Sequence, residues 1–116
     1  MRLNKTQNKI LDELKKLAKI KGKIISYSSL CRVACPTINV MDAIQRQTLS
    51  KWLGEIVEHE VTAGRPPICV LVVRESAGMP GKGFFTMMEQ LGLAQRGESQ
   101  LDVFIRQLNA TNAYYT

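Results

Sequence analysis

The first amphipathic segment of the chain runs from about residue 4 to residue 21. Its apolar residues recur at the spacing of one helix face, and charged residues occupy the opposite face. The apolar set comprises Leu3, Ile10, Leu11, Leu14, Leu17 and Ala18, and the polar set comprises Lys5, Lys9, Asp12, Lys16 and Lys19. The pattern predicts a helix that stops at Gly22, since glycine often follows the last helical residue.

Residues 23–36 predict a short extended segment followed by a second helix. Lys23-Ile24-Ile25 is β-branched at two positions, which favours a strand. Ser26 is a typical N-cap for a helix over residues 27–34. We expect Leu30 and Val33 to face the core, and Pro36 to end the helix.

Residues 40–61 are helical in pattern, but their apolar side chains do not share one face. Ile44 lies about half a turn away from the other apolar residues, which are Leu49, Trp52, Leu53, Ile56 and Val57. Either the helix breaks near residues 45–48, with Thr48 as a new cap, or it is buried on two sides. We favour the break.

The rest of the chain predicts one buried strand and two more helices. Residues 68–73 form a continuous apolar run of strand length. Residues 84–91 have helical spacing, although a second hairpin strand at 83–87 is also open. Ser99 is the expected cap of a last helix, and the tail to Thr116 is expected to be frayed. The apolar residues of that last helix that we expect to face inward are Leu101, Phe104, Ile105 and Leu108.

These elements predict a single domain over residues 1–116, mainly α with a small β element. We expect four to five helices and two to three short strands. A chain of 116 residues, 45% hydrophobic and 22% charged, can bury one core without the help of disulfides or metal ions. No apolar run is long enough to cross a membrane, no secretory pattern is present, and three cysteines form no disulfide framework. We therefore expect a cytoplasmic protein without cofactor or metal.

The net charge of the chain is concentrated at one end. Residues 1–23 contain eight basic and two acidic residues, which accounts for the whole formal charge of +6, while the remainder is neutral. A clustered positive field attracts phosphate, so nucleic acid is the first partner to consider. The alternative is a solvated lysine face that only keeps the protein soluble.

A short motif follows Gly22 in the sequence. Gly22-Lys23-Ile24-Ile25-Ser26-Tyr27-Ser28-Ser29-Leu30 resembles the G-x-x-x-S-Y-x-x-L stretch that opens the DNA-binding half of alkylguanine-DNA alkyltransferases. The resemblance implies a winged helix-turn-helix fold in which Ser26 and Tyr27 approach the phosphate backbone. The P-C-H-R motif of that family is absent, and Cys69 has no histidine or arginine beside it. Alkyl transfer is therefore not implied, and S-Y-x-x-L could also simply cap a helix.

If the module is present, the helix after the turn would place its N-terminal residues against base edges in the major groove. Gln45, Arg46, Gln47 and Lys51 have suitable side chains, because amides pair with adenine and cations with guanine or phosphate. An ordinary polar helix face is the alternative.

Two further groups of residues could carry chemistry. Gly81, Lys82 and Gly83 lie where a glycine-rich loop enters a helix, which suits an anion, although a structural turn explains them equally simply. Glu60 falls within the apolar face of its helix, so it must be paired or have a raised pKa. We favour a structural pair with Arg65 over an active-site acid.

The remaining candidates have simpler explanations. Glu55, Glu58 and His59 share one helix face, but a second histidine for a metal is lacking. Cys31 and Cys35 are expected to be small core residues.

The sequence thus predicts a small basic nucleic-acid-binding protein, winged-helix-like, DNA-binding or regulatory, with DNA favoured over RNA. An enzyme acting on a phosphate-containing or nucleic-acid substrate through Glu60, Arg65 and Lys82 is less favoured. A third hypothesis is a protein-interaction module or homo-oligomer that makes contact through Ile44 or the aromatic tail.

Overall fold

The computed structural model describes residues 2–116, and over these residues the protein is mainly helical with a two-stranded parallel sheet. The predicted class, mainly α with a small β element, is confirmed. None of the helices in residues 2–116 is long and apolar enough to cross a membrane. In chain order the elements are α1 (Lys5–Ala18), β1 (Ile25–Ser26), α2 (Tyr27–Ala34), α3 (Ala43–Thr62), a 3-10 helix (Ile68–Leu71), β2 (Val72–Val73), α4 (Lys82–Gln90) and α5 (Gln100–Tyr115).

The 3-10 helix lies at the centre of the molecule, where α1, α3 and α5 pack against it and all four of its side chains are buried. The predicted strand over residues 68–73 is therefore wrong for its first four residues. β1 is only two residues long and pairs Ile25 with Val72 and Ser26 with Val73. Residues 68–71 have no strand beside them within residues 2–116, so their backbone groups form local hydrogen bonds instead. One of these runs from the Val70 N–H to the Pro67 carbonyl at 3.0 Å.

α1 begins with a reciprocal cap. The Asn4 side chain accepts a hydrogen bond from the Gln7 N–H at 2.7 Å, and the Gln7 side chain accepts one from the Asn4 N–H at 2.9 Å. The Gln7 amide also donates to Glu55 Oε1 at 2.8 Å, which joins α1 to α3. The helix ends at Ala18, earlier than the predicted residue 21, and Gly22 follows with a left-handed φ of 75°.

α3 is one unbroken helix of 20 residues, so the predicted break near residues 45–48 is wrong. Thr48 is not a cap, because its hydroxyl donates to the Ile44 carbonyl inside the helix at 3.2 Å. The cap is Asp42, whose carboxylate accepts from the N–H groups of Ile44 and Gln45. The Ile44 side chain is 75% exposed. Its offset on the helical wheel therefore marks a position that faces solvent.

Several other predicted orientations are also wrong. Val33 is 49% exposed, and Leu101 and Ile105 on α5 are about half exposed. The tail is not frayed, because α5 continues to Tyr115. The face of α5 that packs inward carries apolar and polar side chains together, namely Val103, Phe104, Gln107, Thr111 and Asn112. Residues 83–87 belong to α4, so the alternative hairpin strand is excluded.

Candidate functional site

The lysines predicted to bind phosphate lie on the exposed face of α1. Lys5, Lys9, Lys16 and Lys19 are all exposed. Lys16 forms a solvent-exposed pair with Glu13, Nζ to Oε1 3.1 Å. The other three have no ion-pair partner within residues 2–116. Most of the positive charge on this face is therefore uncompensated.

α1, which carries the lysine face, packs against both α2 and α3. Cys35 directly follows the last residue of α2 and begins the turn, residues 35–42, that joins α2 to α3. Burial raises the pKa of the Cys35 thiol to about 12, and the positive charge of Lys9 acts in the opposite direction. The bonds from Gln7 to Glu55 Oε1 and to the Trp52 carbonyl hold the same half of α1 against α3.

Ser26 and Tyr27 both have structural partners. The Ser26 hydroxyl accepts from the Ser29 N–H at 3.2 Å, which makes Ser26 the N-cap of α2. Burial raises the pKa of Tyr27, whose hydroxyl faces the backbone of Gly81. A Cβ atom at position 81 would lie 3.3 Å from the Tyr27 hydroxyl oxygen. The two side chains are half-buried.

Gln45 and Arg46, two of the residues predicted to contact bases, hold the turn between α2 and α3 in place. Gln45 Oε1 accepts from the Asn39 N–H at 2.6 Å, and Arg46 Nη1 donates to the Val40 carbonyl at 3.1 Å. Arg46 remains exposed, so its other donors face solvent. Lys51 is exposed and has no hydrogen bond or ion pair to any residue that the structure describes.

Two exposed apolar residues lie at this turn and at the start of α3, of which sequence reasoning named Ile44 as a protein contact and missed Met41. Met41 is 84% exposed and Ile44 75%, the highest values among the large apolar side chains of residues 2–116. The one signal of this arrangement was the helical-wheel offset of Ile44, which we interpreted as a break.

The glycine-rich loop offers little support for an anion site. Gly81 is the N-cap of α4, no side chain caps the helix, and Lys82 and Gly83 are exposed. The hollow beside Lys82 is, however, also lined by Glu89 and Glu98. Hydrogen bonds from Arg106 and from the Gln95 N–H lower the pKa of Glu98 to about 2, so a negative charge is present there at neutral pH. Arg106 compensates that charge, and Lys82 is the one basic side chain among the residues that line the hollow, so an anion would have a single cationic partner there.

Glu60 is fully buried and has a complete set of partners. Arg65 donates to both carboxylate oxygens at 2.9 Å, Nε to Oε1 and Nη2 to Oε2. His59 Nδ1 lies 2.9 Å from Oε2, and the Tyr115 hydroxyl donates to Oε1 at 3.3 Å. Burial by itself would raise the pKa of Glu60, but the hydrogen bonds from Arg65 and His59 outweigh it and hold the pKa below its ordinary value.

These contacts make the Glu60–Arg65 pair a structural element. An ionised, fully hydrogen-bonded carboxylate has no free position for a substrate proton. Lys82 is not a partner of Glu60 and instead lines the hollow with Glu89 and Glu98. The grouping of Glu60, Arg65 and Lys82 that an enzyme would need is therefore not formed.

The cysteines and the histidine do not form a reactive or metal-binding site. Cys69 is buried, its thiol donates to the Leu53 carbonyl at 3.5 Å, and burial raises its pKa, so the nucleophilic thiolate is disfavoured. Cys31 and Cys35 are buried as well. Within residues 2–116 no three histidine, cysteine or acidic side chains converge as metal ligands would.

The structure therefore packs α1, which carries the lysines, against α2 and α3. Comparisons of the chain with protein-family models, with curated proteins and with solved structures found no match.

Proposed function

We propose that the protein binds nucleic acid, with DNA favoured over RNA, through the lysine face of α1 and the α2–turn–α3 unit. The observation that carries this proposal is the exposed row of lysines on α1, most of which have no compensating acid among residues 2–116. α1 itself packs against α2 and α3. Uncompensated cations on one helix face attract a polyanion and release its counterions on binding.

The order of elements supports a helix-turn-helix unit. A helix, a short strand, a second helix, a turn, a third helix and a strand follow one another, and the S-Y-x-x-L motif begins α2. The β1–β2 pair is parallel, and residues 2–116 have no antiparallel hairpin after α3. The proposal therefore depends on α2 and α3 and not on a wing.

The geometry of α3 supports DNA as the partner. Its first half projects exposed side chains, including those of Gln47 and Lys51. The major groove of B-form DNA admits a helix, whereas the deep, narrow major groove of A-form RNA does not.

The salt dependence of binding tests the proposal. We would measure fluorescence anisotropy of labelled mixed-sequence duplex DNA at several salt concentrations, with single-stranded DNA and duplex RNA as comparators. Log affinity should fall with log salt at a slope of about −0.9 per phosphate contact. The double change Lys5→Gln and Lys9→Gln should reduce the magnitude of that slope by the amount expected for nearly two phosphate contacts. Neither lysine has an acidic partner within residues 2–116.

A charge-matched control uses Lys82→Gln and Arg96→Gln, which remove two exposed positive charges outside α1. This variant should keep the wild-type slope. Equal flattening in both variants would show that only total charge matters. If wild-type protein does not bind any nucleic acid at low salt, the lysines are a solvated face and the proposal is wrong.

A further inference from the structure

The start of α3 presents an unusual set of side chains to solvent, which we name the α3 tip: Met41, Ile44, Gln47 and Lys51. All four side chains are exposed. Ile44, Gln47 and Lys51 have the i, i+3, i+7 spacing of one helix face, and Met41 directly precedes the capping residue. Apolar, amide and cationic groups therefore follow one another along one face.

The backbone that carries the α3 tip is held firmly. Asp42 caps the helix through two N–H groups, and the side chain of Asn39 accepts from the Met41 N–H at 3.0 Å. Gln45 and Arg46 close the turn from the helix side. Met41 and Ile44 thus remain in water although their backbone positions are fixed. A backbone segment that is ordered before binding loses little further entropy when a partner covers it.

The charges around the α3 tip favour a polyanion as that partner. Residues 28–51 contain three basic residues and one acid. The acid is Asp42, whose carboxylate is occupied in capping α3. Glu75 and Arg32 both line the hollow behind the turn, so Arg46 and Lys51 are the basic side chains that remain to attract a polyanion.

From these observations we propose that Met41 and Ile44 contact the C5-methyl groups of thymine in the major groove of duplex DNA, so that the protein prefers A·T-containing sites. This rests on the proposed function. Apolar side chains recognise the thymine methyl group, and an amide such as Gln47 pairs with the adenine edge. The first residues of the helix after the turn are those that meet base edges in helix-turn-helix proteins.

Replacing thymine with deoxyuracil tests the proposal, because it removes the methyl group and keeps the base pair. We would compare wild-type binding to an A·T-rich mixed-sequence duplex and to the same duplex with every thymine replaced. Wild-type affinity should be about three- to tenfold weaker for the uracil duplex, as expected for one or two lost methyl contacts. The Met41→Ser, Ile44→Ser double variant should bind both duplexes equally, with an unchanged salt slope.

A matched control is the Leu101→Ser, Ile105→Ser double variant, which alters two other exposed apolar side chains, on α5. It should discriminate thymine from uracil as the wild type does. Equal wild-type affinity for both duplexes would overturn the thymine proposal and leave nucleic-acid binding intact. Self-association that only the Met41, Ile44 variant loses, without uracil sensitivity, would assign the α3 tip to a second copy instead. Absence of binding to every duplex at low salt would overturn the proposed function itself.

Discussion

The two ends of α3 depart from the usual separation of apolar and polar side chains in opposite ways. Near the C-terminal end, the charged side chain of Glu60 is fully buried, and four groups from three other residues satisfy it. At the N-terminal end, Ile44 and the preceding Met41 are exposed, and no apolar surface within residues 2–116 covers them. The first departure is resolved inside the chain, whereas the second is not resolved by any residue that the structure describes.

The two ends also differ in what a substitution should do. Changes around Glu60 should affect folding, because its partners compensate for the cost of burying a charge. Changes at the α3 tip should affect binding and leave folding nearly unchanged. Four predictions test this difference, and urea unfolding followed by circular dichroism measures each of them.

The largest effect is expected for Arg65→Ala at neutral pH. Removing the guanidinium leaves a buried carboxylate without its two shortest charged hydrogen bonds, so we expect a loss of about 2–4 kcal/mol in the free energy of unfolding. Arg106→Ala serves as the control, because it removes the partner of Glu98 from a solvent-exposed pair and should cost much less. A loss below about half a kcal/mol for Arg65→Ala would show that the buried pair contributes little.

The difference between wild type and Arg65→Ala should depend on pH. The pKa of Glu60 is lowered in the folded protein, so its stabilisation is present above the ordinary value of 4.5 and is lost as pH falls through the folded-state pKa. Without Arg65, burial should raise the pKa of Glu60. Protonation of Glu60 as the pH falls should then stabilise the folded variant. The difference in the free energy of unfolding between wild type and Arg65→Ala should therefore become smaller as the pH falls from 7 to 3. A difference that does not change with pH would mean that Glu60 is not the source of the loss.

A smaller effect is expected for Tyr115→Phe. The variant loses one hydrogen bond to Glu60, so the expected loss is about 1 kcal/mol. Tyr114→Phe is the matched control, since Tyr114 is 54% exposed and has no hydrogen bond to Glu60. If the two changes lower the free energy of unfolding equally, the hydrogen bond from the Tyr115 hydroxyl to Glu60 does not contribute to stability.

The smallest effect is expected for Ile44→Ala, which should change the free energy of unfolding by less than about 0.5 kcal/mol. The same substitution in the middle of the helix, Ile56→Ala, should cost about 2–5 kcal/mol because Ile56 is fully buried. A loss above 1 kcal/mol for Ile44→Ala would show that Ile44 packs against the chain, and the contrast between the two ends of α3 would then be wrong.

The sequence predicts α1 and α2 because the apolar residues of each recur at helical spacing. Ser26 caps α2 as predicted, whereas the cap of α1, Asn4, was not predicted. Residues 68–71 show the limit of this approach: an apolar run predicts burial but not backbone conformation, which here depends on the two-residue length of β1.

α5 shows a second limit. Periodicity placed Leu101 and Ile105 inward, whereas the buried face carries Gln107, Thr111 and Asn112. Each of these polar side chains donates to a backbone carbonyl, and for Asn112 and Gln107 that carbonyl lies outside α5, for example Asn112 to Ala18 at 3.1 Å. Hydrophobic spacing cannot anticipate such partners, because they come from the tertiary fold.

The same limit applies to the candidate site. The exposed lysines of α1 follow directly from the pattern of charges. The use of Gln45 and Arg46 to hold the turn depends on where the backbone of residues 39 and 40 lies. Exposure of Ile44 agrees with its offset on the helical wheel, whereas exposure of Met41 runs against the rule that apolar residues are buried and has no sequence signal.

Asn112 joins segments that are far apart in the sequence. Its side-chain amide donates to the Ala18 carbonyl at 3.1 Å, and its carbonyl oxygen accepts from the Gly22 N–H at 3.2 Å. The Ala18 carbonyl at the end of α1 therefore has no partner from α5 until α5 has been synthesised. The hydrogen bond from the Tyr115 hydroxyl to Glu60 also forms only after α5 has been synthesised. During translation α1 and α3 emerge with these polar groups still in water. Completion of the core is consequently a late step, tied to the arrival of the last helix and not to the formation of the first.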